Sequence, residues 1–176
     1  MKRPLEMAHD FLAEVVTKED IVVDATMGNG HDTLFLAKLA KKVYAFDVQE
    51  QALEKTRDRL DQAGMTNAQL ILKGHETLDQ FVTEAKAGIF NLGYLPSADK
   101  SVITQPQTTI EALEKLCHLL VKGGRIAIMI YYGHEGGDTE RDAVLEFVSQ
   151  LNQQEYTAAI YRTLNQVNNP PFLVMI

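Results

Sequence analysis

Two periodicities alternate along the 176 residues of the chain. Leu5, Ala8, Phe11, Leu12, Val15 and Val16 recur at helical spacing, and Pro4 suits a first turn, so residues 4–16 read as an amphipathic helix. The period then changes. Ile21-Val22-Val23-Asp24-Ala25 is a continuous, β-branched apolar run ending in a polar and glycine cluster, as expected of a strand buried on both faces. The next helix carries a stripe of Leu34, Leu36, Ala37, Leu39 and Ala40. Lys38, Lys41 and Lys42 sit at its carboxyl end, where cations suit the dipole.

The alternation repeats with a strand over 43–46, a helix from about Gln49 to Ala63 stopped by Gly64, and a strand over 70–72. A short helical turn after Glu76 leads to a strand over 89–92. After a loop containing Pro96, residues 104–121 read as a helix with Pro106 in its first turn and Gly123-Gly124 as its stop. Arg125 to Tyr132 is the most β-rich run. The loop Gly133-His134-Glu135-Gly136-Gly137 opens a helix from Thr139 to Leu151, and two strands follow near Tyr156 to Leu164 and Phe172 to Ile176. Strands alternating with helices imply right-handed crossovers, hence an α/β domain spanning residues 1–176 with a mostly parallel seven-stranded sheet covered by helices on both faces. The two consecutive final strands suit a hairpin at one sheet edge, with the last strand antiparallel.

Composition adds exclusions. With 45% hydrophobic and 23% charged residues, the chain is ordinary for a globular domain. Cys117 is the single cysteine, which rules out an intrachain disulfide framework and a multi-cysteine zinc site; it is expected to be buried and inert. No apolar run approaches the roughly 20 residues that span a bilayer, and no signal peptide precedes the first helix, so a cytoplasmic protein is expected. The net charge of -7 argues against indiscriminate nucleic-acid binding. It leaves room for local patches at Lys2-Arg3, Lys41-Lys42 and Arg57 with Arg59.

The candidate chemistry starts where the first strand ends. In an open parallel sheet, ligands bind beyond the carboxyl ends of the strands, at the switch point that the first strand borders. Gly28-Asn29-Gly30 lies there, with glycines that permit a tight turn and close approach of a ligand to the backbone. Thr33 stands where the dinucleotide fingerprint would place a third glycine, which counts against NAD. Asp47, at the end of the second strand, is placed to accept hydrogen bonds from both ribose hydroxyls of an adenosine-type ligand, or to serve as a helix N-terminal charge.

The pattern Asp24-x-Thr26-x-Gly28-x-Gly30-x-Asp32, with Asp47 after it, resembles the first motifs of class I S-adenosylmethionine methyltransferases. That resemblance implies a Rossmann-like fold and a cofactor site made of Asp24, Thr26, Gly28, Asn29, Gly30, Asp47 and Gln49, with Asp32 serving the helix start. His75, in Lys73-Gly74-His75-Glu76, falls where adenine lies in that family, while Gly74 and Glu76 also suit a simple turn. The fourth strand ends Asn91-Leu92-Gly93-Tyr94-Leu95-Pro96. Amino-group methyltransferases often carry Asn-Pro-Pro-Tyr there; here Leu92-Gly93 replaces the prolines.

The string from Asn91 to Pro96 with Asp99-Lys100, Gly74-His75-Glu76, Tyr132-Gly133-His134-x-Gly136 and Asn169-Pro170-Pro171-Phe172 is similar to a family of small bacterial proteins labelled rRNA methylases. The similarity runs along nearly the whole chain. It implies methylation of 5-aminomethyl-2-thiouridine at the tRNA wobble position, with the anticodon stem-loop as partner. An rRNA or small-molecule N-methyltransferase, or a cofactor-binding module without catalysis, would share the same donor residues. On the amine reading, Asn91 and the Gly93-Tyr94 turn hold the amine, Tyr94 packs on the base or donor, and His134 accepts a proton directly or through water. Glu135, Asp138 and Glu140 near His134 match no metal-ligand spacing, so no metal is expected; His9, His31 and His118 show no partner pattern. A homodimer would pool Lys2 and Arg3 with the basic cluster near Arg57.

Overall fold

The computed structural model describes residues 1–93 and 104–176; Tyr94, Pro96, Asp99 and Lys100 lie outside the described residues. In chain order the elements are α1 (Pro4–Ala13), β1 (Ile21–Asp24), α2 (His31–Leu39), β2 (Lys42–Asp47), α3 (Glu50–Gln62) and β3 (Ala68–Leu72). A 3₁₀ helix (His75–Gln80) follows, then β4 (Ala85–Leu92), α4 (Pro106–Leu119), β5 (Leu120–Ile130), α5 (Gly137–Ser149), β6 (Ala159–Tyr161) and β7 (Phe172–Met175). The strands form one seven-stranded sheet in the order β3-β2-β1-β4-β5-β7-β6. From β3 through β5 all pairings are parallel, and β7 runs antiparallel to both β5 and β6.

The sheet is buried on both faces because successive side chains of a strand point to opposite sides. Val22, Ala45, Ile89 and Met129 face the side covered by α1, α2 and α3. Val23, Phe46, Phe90 and Ile128 face the side covered by α4, α5 and the 3₁₀ helix. The order of strands reverses at β1 and β4, so the crevice at their carboxyl ends is the switch point anticipated from the glycine loop.

Three local expectations are corrected. α1 stops at Ala13, before the β-branched pair Val15 and Val16, although Val16 is still buried and its N–H still reaches Leu12 O. The buried face of α2 includes Asp32 and Thr33 beside Leu36 and Ala37, so two polar residues belong to the stripe. Gly123-Gly124 do not end α4. β5 begins at Leu120, and the register jumps from Ala85↔Leu120 to Ala87↔Arg125, with Gly123 at φ 72 in the extra length. The final hairpin does lie at one sheet edge with its last strand antiparallel, β7 pairing with β5 and the short β6 lying outermost.

One clamp matters for the site. The Arg125 guanidinium donates to Phe11 O at 2.6 Å and to Glu14 at 2.7 Å, and lies 4.5 Å above the Phe11 ring. Its bond to Phe11 O satisfies one of the carbonyls left open at the end of α1. The Tyr161 hydroxyl donates to Lys2 O at 2.7 Å, so α1 is tied down at both ends. Among the described residues no helix is long and apolar enough to cross a membrane.

Arg125→Ala is expected to lower stability by about 1 kcal/mol, the scale of a charge-assisted hydrogen bond at a partly exposed position. Amide hydrogen exchange will show faster opening of residues 4–13 than of β1; equal protection of both would refute the clamp.

Candidate functional site

The crevice at the switch point holds a cavity of about 850 Å³. Its floor is organised from below by Asp24, the last residue of β1, which is fully buried and does not line it. One Asp24 oxygen accepts the Thr26 N–H at 3.2 Å and the other accepts the Thr33 hydroxyl at 2.6 Å. These bonds fold the chain from β1 into the start of α2. Burial, reinforced by the charge of Asp32, pushes the Asp24 carboxyl up to about 7.

The glycine loop is gripped from α3. Arg59 donates to Asn29 O at 2.8 Å, and the Thr56 hydroxyl reaches Gly28 O at 3.4 Å. Gly30 has φ 77, and a Cβ there would stand 2.6 Å from Thr56 Oγ1, so both backbone conformation and packing require glycine. Gly28 and Asn29 line the cavity, whereas Gly30 supports it from outside. Asp47 also lines it and straddles two loops. Its Oδ2 accepts the Gly28 N–H at 3.0 Å, and its Oδ1 accepts the Gln49 N–H at 2.9 Å. Each oxygen retains a lone pair for a further donor.

His75 forms part of the opposite wall. Its Nδ1 lies 3.0 Å from Ala25 O; since a carbonyl only accepts, Nδ1 carries the proton and Nε2 is left as an acceptor. Nε2 is buried without a hydrogen-bond partner. Burial also holds the imidazole below its ordinary pKa, which keeps it neutral.

At the end of β4, Asn91 donates its backbone N–H to Thr26 Oγ1 at 2.6 Å, so Thr26 links the first loop to the fourth strand. The Asn91 side-chain amide donates to Asp32 Oδ2 at 2.5 Å. Asp32 Oδ1 lies 2.5 Å from His9 Nε2, and the His9 ring is stacked on Phe35 with centroids 3.9 Å apart. Asn91, Asp32 and Tyr131 all line the cavity. Burial, with the charge of Asp32, raises the Tyr131 phenol above its ordinary pKa.

The chain on either side of residues 94–103 is closed by a two-way clasp. The Gly93 N–H donates to Thr104 Oγ1 and the Thr104 N–H to Gly93 O, both at 3.0 Å. Buried Glu140 of α5 then accepts the hydroxyls of Thr104 at 2.6 Å and Thr109 at 2.7 Å. His134 lines the cavity from the loop after β5, and Gly137 lets it pack there, because a Cβ on Gly137 would lie 2.8 Å from the ring.

Of the predicted site residues, Thr26, Gly28, Asn29, Asp47, Gln49, His75, Asn91, Gly93 and His134 thus share one cavity. Asp24 and Gly30 lie behind its wall, and Tyr94 is outside the described residues. Sequence reasoning missed Asp32 as a wall residue, its partner His9, Tyr131 and the Glu140 clasp. His9 did carry a signal, since it falls within the apolar stripe between Leu5 and Leu12. Asp32 had one too, as the last acid of the glycine-loop pattern. Arg59, taken with Arg57 as surface charge, is instead a brace of the loop. Cys117 is buried, which pushes its thiol up to about 11 and leaves it unreactive.

A family profile described as "Putative rRNA methylase" matches residues 43–176. An Arabidopsis thaliana protein named "tRNA (mnm(5)s(2)U34)-methyltransferase, chloroplastic" is 35% identical over 189 residues, covering 99% of this chain and 69% of its own length. Among solved structures, a "putative methyltransferase" from Streptococcus mutans in complex with SAH is 61% identical with a TM-score of 0.95, covering 99% of this chain and 97% of its own. A "putative rRNA-methylase" from Clostridium thermocellum is 42% identical with a TM-score of 0.97, at 99% and 97% coverage.

Two substitutions test the floor of the cavity. Gly30→Ala forces a Cβ into Thr56 at a positive φ and is expected to destabilise the fold by about 1–3 kcal/mol, read as a lower urea midpoint. Asp24 has a raised folded pKa, so protonation favours the folded state. Its contribution is greatest below about pH 4, the unfolded value, and is lost as pH rises to about 7. Asp24→Asn should remove that slope, making the variant gain thermal stability relative to the parent between those limits; parallel melting curves would contradict the burial argument.

Proposed function

The chain belongs to the family described as "Putative rRNA methylase" and is an S-adenosylmethionine-dependent methyltransferase; from that premise we propose that it methylates the amine of 5-aminomethyl-2-thiouridine at the tRNA wobble position, giving the 5-methylaminomethyl form. The observation that carries the choice of an amine is the wall where Asn91 and Asp32 meet. It presents an amide oxygen and a carboxylate, both acceptors, to a group that donates. The Arabidopsis relative, similar over 99% of this chain, carries that nucleotide in its name and supports the choice of amine.

The donor half of the cavity fits S-adenosylmethionine by its chemistry. The Cβ-free stretch at Gly28 admits a ligand against the backbone, Asp47 has lone pairs to spare for ribose hydroxyls, and the orphaned His75 Nε2 offers an acceptor to the adenine amino group. In this reading Thr26, Asn29, Gln49 and Gly93 complete the contact surface, and Asp24 and Gly30 act from beneath by holding the loop. Bound there, the cofactor supplies a methyl group on a sulfonium whose departure as a thioether needs no proton. What remains for the protein is to orient an amine and keep its lone pair free.

Asn91 does the orienting. Its amide nitrogen is committed to Asp32 and its backbone to Thr26, so its oxygen has one direction in which to meet the acceptor. Tyr131, 38% exposed at the cavity, offers an aromatic face to an extruded base, and Tyr94 comes three positions after Asn91 in the sequence. Base stacking suits a chain of net charge -7 better than a phosphate-gripping surface. Lys2 and Arg3, moreover, are already paired with Asp10 and Glu6.

Purified protein with S-adenosylmethionine and tRNA bearing the aminomethyl precursor is expected to add one methyl to the wobble nucleoside, read by nucleoside mass spectrometry. Methylation of rRNA or of a metabolite pool, with the wobble nucleoside untouched, would replace this acceptor. Asn91→Ala should slow single turnover at saturating cofactor by roughly a hundredfold, the scale of a misplaced acceptor; an unchanged rate would remove Asn91 from the mechanism.

A further inference from the structure

We propose that Asp32, held between His9 and Asn91, is the group that takes the proton from the acceptor amine before methyl transfer. The proposal rests on the amine reading above and names the base for it. A primary alkylamine, with a pKa near about 10, is almost wholly protonated at neutral pH and has no lone pair to attack with. A site for it needs an acceptor that binds the ammonium and removes one proton.

Asp32 meets the geometric requirements. It lines the cavity while only 7% exposed, so its carboxylate meets a ligand largely shielded from water. Both oxygens are held from different elements: Oδ1 by His9 of α1 and Oδ2 by Asn91 of β4, each at 2.5 Å. His9 is itself fixed, by its stack on Phe35 and by the clamping of α1 through Arg125. Each carboxylate oxygen still has a free lone pair, and the amide that pins Oδ2 belongs to the residue that orients the acceptor. The proton acceptor and the orienting group are thus one hydrogen-bonded unit. His134, the base expected from sequence, lines the cavity from the loop after β5.

The step balances. The ammonium gives one proton to the Asp32 carboxylate, and the N–H bonding pair becomes the nitrogen lone pair. That pair forms the new N–C bond, the C–S pair leaves on sulfur as the thioether, and the product is a secondary ammonium. Asp32 returns its proton to water once the product departs. Asp32 is the catalytic residue; His9 is a positioning residue that acts through it. Among the described residues, Asp24, whose charge couples to that of Asp32, and the Tyr131 phenol, which stays protonated because its pKa is raised, also face the pair.

Single-turnover methylation of precursor tRNA, with saturating S-adenosylmethionine, distinguishes this chemistry from a merely structural role. Asp32→Asn should lose roughly a hundredfold in rate near neutral pH. The deficit should shrink about tenfold per pH unit towards the pKa of the amine, because free amine then needs no acceptor. His9→Gln should show a smaller deficit with the same convergence, and Asp32→Glu should recover part of the rate. Cofactor affinity and melting temperature measured beside each variant establish that it is folded. Asp32→Asn at the parent rate, or a deficit that stays constant with pH, overturns the proposal while leaving the amine acceptor intact. Parent protein that leaves the aminomethyl nucleoside unmethylated overturns the acceptor, and the proposal with it.

Discussion

The site depends on a carboxylate sealed at the end of the central strand. Asp24 is fully buried, and its two oxygens take the Thr26 N–H and the Thr33 hydroxyl, which sets the path of the loop between β1 and α2. Thr26 then uses its own hydroxyl to accept the Asn91 N–H, Asn91 passes its amide to Asp32, and Asp32 meets His9. Four elements, α1, β1, α2 and β4, are joined by this one run of polar contacts. Loss of any member leaves a neighbour unsatisfied in a buried setting, which costs more than the bond itself contributes.

The same run sets the electrostatics. Asp24, Asp32 and Asp47 lie close enough for Asp24 to feel both of the others, so the floor and walls are electronegative. A cofactor with a sulfonium and an ammonium is favoured by such a field, as is the ammonium of the proposed acceptor. Part of the overall charge of -7 is therefore concentrated at the cavity.

Much of the fold was legible. Val22-Val23 and Ile126 to Ile130 are apolar runs that only a two-sided sheet can bury, and Gly28-Asn29-Gly30 marked the switch point correctly. What failed to show was anything set by contact between distant segments. Arg59 reads as surface charge because nothing in sequence reveals that α3 lies over the glycine loop. Asp32 reads as a helix-start acid because local rules favour that role, whereas tertiary packing turns it inward against Asn91, 59 residues later. Glu140 beside Glu135 and Asp138 invites only a metal-ligand reading, and the spacing matches none; its burial under Thr104 and Thr109 follows from where α5 docks on α4.

The clamp on α1 bears on how the protein comes into being. Residue 11 is held by residue 125 and residue 2 by residue 161, contacts that span 114 and 159 positions of the chain. Such distant closures are made late, after the local strand and helix units have formed. During synthesis, the glycine loop and β4 leave the ribosome well before β5 and β6 do, so the first half of the sheet can form while α1 still lacks its clamps from Arg125 and Tyr161. The first helix, although made first, is therefore secured only when the far edge of the sheet has been made.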